Sequence, residues 1–416
     1  MPREICQYLY DLAKTNPGVT SSTVLGGQPT HIIQSASSAK YVLVTNADNF
    51  FKHMASTRQV IGPSRMTESG EVWRALSRLS QPALSNIDIQ SVGLAACHYG
   101  SQLAVQIGND AKKAPVKIPQ MQFNELVARV LAETIMNRKL EDFGPGCLDD
   151  VAIFMNYIHL LTSFGDCTAP KIDRAETLKM MQARERWLAR MSDLKATVGT
   201  QDKLMHRLMH GGRTGPSQSL FDHEMLLLFG AGTDSTGGTL SWFTYVMAQN
   251  PELQKYLRDQ LQRHWSQDSP KFDNIVTEPV LLRLVAEMLR AFPPVPLIAR
   301  IALQDDDVEG HHVSAGDTVF VSNIGIGRDP NFFERPDEFD INRSANSNCP
   351  HLHTIPFGDG VRACGGRKLA MIELPIFMAI LLRHFEFQLS DNDPVPLKWQ
   401  LTMQPRDGAP VLTFPV

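Results

Sequence analysis

Three stretches of this chain hold side chains that could do chemistry, and each breaks the pattern of the residues around it. The first is Phe357-Gly358-Asp359-Gly360-Val361-Arg362-Ala363-Cys364-Gly365-Gly366, running into the strongly helical Arg367-Lys368-Leu369-Ala370-Met371-Ile372-Glu373. So many glycines forfeit side-chain packing and cost chain entropy, which suits a loop built for close approach of backbone to something flat or bulky. Cys364 falls at the mouth of the helix that follows, where unpaired N–H groups and the positive end of the dipole attract an anionic sulfur. Taken alone, a cysteine is more often a small buried hydrophobe than a ligand.

The second stretch is Gly230-Ala231-Gly232-Thr233-Asp234-Ser235-Thr236-Gly237-Gly238, downstream of the apolar run Met225-Leu226-Leu227-Leu228-Phe229. Glycines, an acid and three hydroxyls inside a helix contradict propensity, and such local rule-breaking marks functional sites. Hydroxyls there can bond to carbonyls one turn back, and the glycines let a large group or water come close. A plain loop between two helices is the competing reading. The third stretch, Leu281 to Arg290, puts Glu287 and Arg290 at i, i+3 on an otherwise apolar helix. A surface pair of that kind contributes a few tenths of a kcal/mol, whereas one on so apolar a helix is expected to be buried and structural.

The cysteine loop resembles the proximal loop of the cytochrome P450 family, Phe-Gly-x-Gly-x-Arg-x-Cys-x-Gly, with all six fixed positions present as Phe357, Gly358, Gly360, Arg362, Cys364 and Gly366. The resemblance implies that Cys364 is the axial thiolate ligand of a non-covalently held haem b. The second stretch resembles the family's Ala/Gly-Gly-x-Asp/Glu-Thr-Thr/Ser motif. This implies that Ala231 and Gly232 lie against the haem and that Asp234 with Ser235 or Thr236 delivers protons during oxygen activation. Ser235 stands where threonine is usual; it keeps the hydroxyl without the methyl that fixes its rotamer, which implies more uncoupling. Glu287 and Arg290 match the family's Glu-x-x-Arg, and Arg343 in the meander Arg328–Arg343 fits its third member, as a structural triad.

Two weaker resemblances complete the cofactor set. Gly70-Glu71-Val72-Trp73-Arg74-Ala75-Leu76-Ser77-Arg78 resembles Gly-x-x-Trp-x-x-x-Arg, with Ser77 where the arginine belongs. Trp73 and either Arg74 or Arg78 are then expected at a haem propionate; the plain alternative is a solvated basic face. In Phe292-Pro293-Pro294-Val295-Pro296-Leu297-Ile298-Ala299-Arg300, a proline-stiffened turn enters a strand. The resemblance puts Val295, Leu297 and Ile298, together with Leu227 and Ala231, in the substrate pocket and Arg300 on a propionate. It also puts the loop Ile61–Met66 over the distal haem face, touching substrate.

The 416 residues, 43% hydrophobic and 20% charged, are ordinary globular values, and a net charge of −4 gives no global attraction to nucleic acid or anionic membrane. Six scattered cysteines without CxxC spacing suggest reduced thiols in a cytoplasmic setting. The first residues do not read as a secretory signal, and no apolar run approaches the roughly 18 residues of a membrane span. His311-His312 and His351-x-His353 have metal-like spacing but no convincing further ligands, which favours packing or surface roles.

The fold class that follows is mainly α with small β-sheets, an α+β cytochrome P450 fold. It is expected as one domain over residues 1–416, with a large helix-rich part and a smaller N-terminal β-rich part. Thr30–Gln34 and Tyr41–Thr45 read as short strands separated by the turn-like Ser35–Ser38. The chain from Phe123 to His210 reads as long helices broken at Phe143–Gly146, and Ser219-x-x-Asp222 reads as a capping box opening the long apolar helix.

The expected activity is that of a haem-thiolate monooxygenase. It inserts an oxygen atom from O2 into a hydrophobic small molecule, with electrons from NAD(P)H arriving through a separate ferredoxin and its reductase. Arg74, Arg78, Arg367 and Lys368 are candidate docking cations, and a monomer is expected. The alternative on the same scaffold is peroxide-driven or other haem-thiolate oxidative chemistry, against which the retained Asp234 beside Ser235 argues. A haem sensor would bring a signalling or DNA-binding module that the sequence lacks. A cysteine hydrolase would need a base beside Cys364, and Arg362 cannot accept a proton.

Overall fold

The computed structural model of the protein describes residues 5–52, 54–161, 172–210, 219–262, 265–266, 269–343, 354–390, 397–400, 402–405 and 409–416. The helices in chain order are α1 (Ile5–Thr15), α2 (Ala36–Lys40), α3 (Ala55–Ile61), α4 (Gly70–Ser85), α5 (Ile89–Ala111), α6 (Gln120–Met136), α7 (Cys147–Leu161) and α8 (Arg174–Lys195). They continue with α9 (Lys203–His210), α10 (Ser219–Gln249), α11 (Pro251–Leu261), α12 (Phe272–Ile275), α13 (Pro279–Ala291), α14 (Asn323–Ile326) and α15 (Arg367–His384). Five strands form one sheet in the order β1 (Ser21–Leu25), β2 (Gln28–Ile33), β9 (Thr318–Ser322), β6 (Leu297–Ala302), β3 (Phe50–Lys52). Four two-stranded ribbons accompany it: β4 (Trp265–Ser266) with β5 (Ser269–Pro270), β7 (Asp306–Val308) with β8 (His311–Val313), β10 (Phe385–Leu389) with β13 (Val411–Pro415), and β11 (Leu397–Gln400) with β12 (Thr402–Pro405). The protein is thus mainly α with small sheets.

The main sheet joins distant parts of the sequence. Strand β9 lies between β2, to which it is parallel, and β6, to which it is antiparallel, so residues 297–322 fill the middle of a sheet whose edges come from the N-terminal region. All five β9 residues are buried, as a central strand of β-branched and aromatic residues requires. Pairing of β3 with β6 sets Lys52 opposite Arg300, which puts two cations side by side at one end of the sheet.

The main apolar core runs along α10. This helix buries Phe221, Met225, Phe229, Leu240, Trp242 and Phe243 among residues of α5, α6, α7, α13 and α15. It stays α-helical straight through Gly230–Gly238. Thr233, Ser235, Thr239 and Ser241 each donate a side-chain hydrogen bond to the carbonyl four residues back, at 2.7–3.1 Å, so the hydroxyls are absorbed by the helix itself.

One expected strand is absent. Tyr41–Thr45 forms a π-helical turn continuing α2, and Ser35, expected in a turn, is the N-cap of that helix, its hydroxyl accepting from Ser38 N–H. The β-branched residues fit a strand, but tertiary contacts decide. The Tyr41 hydroxyl donates to Asp306 at 3.0 Å, Asn46 donates to the same carboxylate at 2.7 Å, and Val42 and Leu43 fill the small core under the sheet. The loop 211–217 and the pair His351/His353 lie outside the described residues, as does the Ser219 side chain; α10 does begin at Ser219.

The buried triad spans the sequence as its spacing suggests. Glu287 Oε1 and Oε2 accept from Arg290 at 2.7 and 2.8 Å, and Oε1 also accepts from Arg343 Nε at 3.3 Å and from Asp340 N–H at 3.0 Å. Arg290 spends its remaining N–H groups on the carbonyls of Gly327, Pro336 and Glu338. The three side chains therefore fasten the irregular meander 327–343 to α13.

Candidate functional site

Helix α4, the sheet end, the cysteine loop and α10 enclose a cavity of about 840 Å³, within the range of cofactor and ligand sites. Cys364 faces it at one side. The chain turns into this position through Gly358 and Gly360, both at positive φ (67° and 66°), and Gly360 lies so close to the Leu43 carbonyl that a Cβ there would overlap it. Cys364 N–H donates to Phe357 O at 2.8 Å, which closes the loop, and Gly366 then caps α15. The sulfur is exposed to the cavity, whereas the described cysteines Cys6 and Cys147 are buried. Burial pushes the Cys147 thiol up to about 12 and the Cys97 thiol up to about 11, so neither is a ligand candidate.

The cavity has a cationic rim. Arg300 and Arg362 line it with Lys52 and Arg65. The guanidinium groups of the three arginines donate to neutral acceptors, and among the described residues Arg65 alone of them has a carboxylate near it, Glu224, which accepts from its backbone N–H at 2.5 Å. Arg300 donates to Ala299 O at 2.9 Å, Arg362 to Glu68 O at 2.9 Å and to Ser69 Oγ at 3.3 Å, and Arg65 to Gln81 Oε1 at 2.6 Å. The Arg362 guanidinium also stacks 3.9 Å from the centre of the Trp73 ring. The cost of gathering these charges shows in their proton affinities. Burial takes Arg300 down to about 10; burial, then the charges of Arg300 and Arg74, do the same to Arg362. Burial and the three arginines bring Lys52 down to about 7. Lys52 keeps some contact with the open cavity but is surrounded by protein. Such a rim is complete only when anionic groups enter it.

Helix α4 corrects the expectation for Arg74 and Arg78. The residues it turns to the cavity are Trp73, Ser77, Gln81 and Leu84, spaced four, four and three apart on one face. Ser77 occupies the inward position where the family carries arginine, so Arg74 and Arg78, each one residue beyond a member of that stripe and on a common neighbouring face, point to solvent; Arg74 pairs with Glu71 on the surface. The charge that α4 lacks comes from Lys52 on β3 and from Arg65 in the loop after α3. Neither was singled out from the sequence as a rim cation, although Arg65 lies in the Ile61–Met66 loop expected near the site, because a lone cation at the end of a short strand or in a loop carries no periodic signal. Arg65 and Met66 both line the cavity, and the Arg65 guanidinium reaches Gly365, beside the cysteine.

Opposite Cys364, α10 presents Leu227, Ala231, Gly232, Asp234, Ser235 and Thr236, and the turn into β6 presents Val295, Leu297 and Ile298. Phe357, Gly358 and Gly366 line the cysteine side. Asp234 is buried and accepts from Thr402 Oγ1 at 2.5 Å, Gln404 Nε2 at 3.0 Å and Gln120 Nε2 at 3.3 Å. Burial raises its carboxyl to about 6 against the opposing pull of Thr402, Gln404 and Asn124. Asn124 can approach because Gly237 has no Cβ to meet its Oδ1. Glu373, on α15, also borders the cavity; it is buried, its Oε1 has no hydrogen-bond partner among the described residues, and burial pushes the carboxyl well above its usual range. Among the described residues, no three His, Cys, Asp or Glu side chains cluster as a metal site, and no helix is long and apolar enough to cross a membrane.

Fold and site together define a mainly helical protein whose chamber is lined by an exposed cysteine, by a helix that carries a buried acid and hydroxyls among apolar residues, and by four clustered cations. Comparison with known proteins makes that specific. The cytochrome P450 family model matches residues 3–410, and the chain belongs to that family. Among curated relatives it is 32% identical over 221 residues to the putative cytochrome P450 132 of Mycobacterium bovis (53% of this chain, 48% of that protein). It is 30% identical over 228 residues to cytochrome P450 714C2 of Oryza sativa (52% and 44%), and 32% identical over 200 residues to the mitochondrial cholesterol side-chain cleavage enzyme of Mesocricetus auratus (47% and 38%). The matched part spans about half the length of these relatives or less. The solved haem domain of cytochrome P450DA superposes with a TM-score of 0.82 over 100% of this chain and 93% of that one, at 20% identity, a likeness of fold.

Proposed function

We propose that the protein is a haem-thiolate monooxygenase acting on a hydrophobic small molecule, with Cys364 as the proximal ligand. The observation that carries this reading is the pairing of a cavity-facing cysteine with four clustered cations, of which Arg300 and Arg362 are held, among the described residues, only by neutral acceptors. Haem b fits that arrangement in charge: Lys52, Arg300 and Arg362, with Trp73 stacked on the last, would hold its two propionates. When bound through a thiolate, haem supplies O2 binding and activation.

The protein's own residues then have distinct tasks. The cysteine loop holds the sulfur at a helix entrance, with Cys364 N–H tied back to Phe357 so that the ligand cannot swing away. Asp234 is the proton source on the opposite wall, a buried acid whose raised proton affinity suits donation near neutral pH. Ser235 donates to the Ala231 carbonyl at 2.9 Å, and Thr236 borders the cavity beside it. Leu227, Ala231, Val295, Leu297 and Ile298 give the substrate space an apolar surface that excludes water around the reacting carbon.

Electrons would come from NAD(P)H through a ferredoxin and its reductase, docked near Arg74, Arg78, Arg367 and Lys368, all of them exposed. The chain would act as one domain, as a monomer, in the cytoplasm. The reduced carbon-monoxide difference spectrum tests the haem assignment. The expected result is a thiolate-type spectrum that Cys364→His converts to a histidine type; a colourless protein, or a globin-like spectrum from the wild type, refutes it. Turnover with the ferredoxin system and not with peroxide alone separates the monooxygenase from a peroxygenase.

A further inference from the structure

The acid of the distal wall is connected to the cavity by a hydroxyl that does not belong to its own helix. Asp234 lies on α10, but its shortest hydrogen bond, 2.5 Å, comes from Thr402 Oγ1 on β12, and Thr402 itself lines the cavity. The neighbouring Ser235 hydroxyl is turned back onto the Ala231 carbonyl at 2.9 Å. The groups facing Asp234 from the elements packed against it are Gln120 and Asn124 of α6 and Thr402 and Gln404 of β12, none of them charged. We infer that Thr402 is the proton-relay hydroxyl between Asp234 and the cavity, with Gln404 and Gln120 as positioning residues that orient the carboxyl toward it.

The geometry of β12 supports this assignment. Residues two apart on a strand share a face, so Thr402 and Gln404 both turn to Asp234 while Met403 turns away. Met403 is fixed from both sides: its N–H donates to Pro294 O at 2.8 Å, and its carbonyl accepts from Trp242 Nε1 at 3.0 Å. Trp242 is stacked on Phe292 at 4.6 Å. Gln404 Nε2 donates to Asp234 Oδ1 and to Thr402 Oγ1, both at 3.0 Å, which leaves the Thr402 proton, now donated to Asp234 Oδ2, as the member of the set that can turn to the cavity.

The step balances without redox chemistry. With Asp234 ionised, the Thr402 O–H donates to Oδ2. When Asp234 takes a proton from solvent on Oδ1, the oxygen beside the half-buried Gln120, a turn of the carboxyl brings that O–H to Thr402 Oγ1, which now accepts from it, and the Thr402 proton swings to the cavity. Passing that proton on and taking the one from Asp234 returns the set to its starting state. A proton enters from solvent and one leaves to the cavity.

This inference rests on the role given to Asp234 above, and its test is separable from that role. Infrared difference spectra of the purified haem-loaded protein between pH 5 and pH 8 report the Asp234 carboxylic stretch, assigned by its loss in Asp234→Asn. The expected result is a band titrating near pH 6 that shifts in frequency in Thr402→Val and returns in Thr402→Ser. With a surrogate ferredoxin system, Thr402→Val should release several-fold more of its electrons as hydrogen peroxide, with Thr402→Ser close to wild type. An Asp234 band unchanged by Thr402→Val, or a peroxide yield that Thr402→Ser does not restore while haem content stays normal, overturns the relay. The infrared band does not depend on oxygen chemistry and is read equally on the protein as purified without haem, so a failed carbon-monoxide spectrum refutes the haem assignment alone, whereas an Asp234 band unmoved by Thr402→Val beside a normal carbon-monoxide spectrum refutes the relay alone.

Discussion

Removing Glu287 should loosen the meander that leads toward the cysteine loop, and the structure fixes the size of the effect. Glu287 and Arg290 are each 1% exposed, and the Arg343 side chain is 8% exposed. Glu287→Ala deletes four hydrogen bonds from one carboxylate and leaves two buried guanidinium groups without a counter-charge. Breaking one partner of a buried pair costs about 3–5 kcal/mol. Spread over the unfolding entropy of a chain this long, that is a fall in Tm of roughly 3–6 °C. Arg290→Met should cost less, because its partner carboxylate can take a proton while an arginine cannot lose one. The double variant should be less damaged than the sum of the two singles, since the second change removes a charge the first has stranded. Denaturant titrations of wild type, both singles and the double, followed by circular dichroism and by haem absorbance, measure all four corners of that cycle. A Glu287→Ala protein within about 1 kcal/mol of wild type, or strict additivity in the cycle, would refute the reasoning that the triad is a single electrostatic fastening.

Other outcomes follow from the rim, the acid and the loop. Lys52 titrates near 7 in the cavity against 10.5 when unfolded, so the unfolded chain holds more protons and haem-free stability rises with pH above about 7. Haem propionates would restore that proton; haem affinity should therefore fall by up to about tenfold per pH unit above neutrality, a trend that titration of Lys52→Met with haem at pH 6.5 and 8.5 should find flattened. Asp234, raised from 3.8 to about 6, destabilises the folded state as pH rises through that window, by about 3 kcal/mol in all. Asp234→Asn should be the more stable protein at pH 7 in urea titrations, and the difference should shrink toward pH 4. Gly360→Ala should forfeit about 1–2 kcal/mol of backbone conformation and also collide with the Leu43 carbonyl, whereas Gly26→Ala, at similar φ but in open space, carries only the first penalty. The ratio of haem to protein absorbance after purification should be low for the former and normal for the latter.

What could be read from the sequence was what the chain states locally. A helix capped by a glycine after a cysteine loop, a helix that carries an acid and hydroxyls among glycines, and an acid and arginine one turn apart are each written in a few consecutive residues, and each has the geometry its spacing implies. The misread strand at Tyr41–Thr45 shows the limit of that approach. Its β-branched composition is real, but the choice between strand and helical turn was made by Asp306, some 260 residues away, which accepts from Tyr41 and Asn46.

The same limit governs the site. Arg74 and Arg78 looked like propionate residues because charge is visible in a sequence and helix phase is not until the helix is packed. Once α4 turns Trp73, Ser77 and Gln81 inward, both arginines necessarily face out. The compensating charges come from Lys52, which sheet register sets opposite Arg300, and from Arg65 in a loop. Thr402 and Gln404, on the far ribbon, are drawn to Asp234 by the bond between Trp242 and Met403. In each case the missing residue comes from across the fold: Thr402 and Gln404 satisfy a buried acid, while Lys52 and Arg65 add like charge to a rim that an anion must balance. A search for unpaired buried polar groups is therefore the route by which the rest of the site becomes legible.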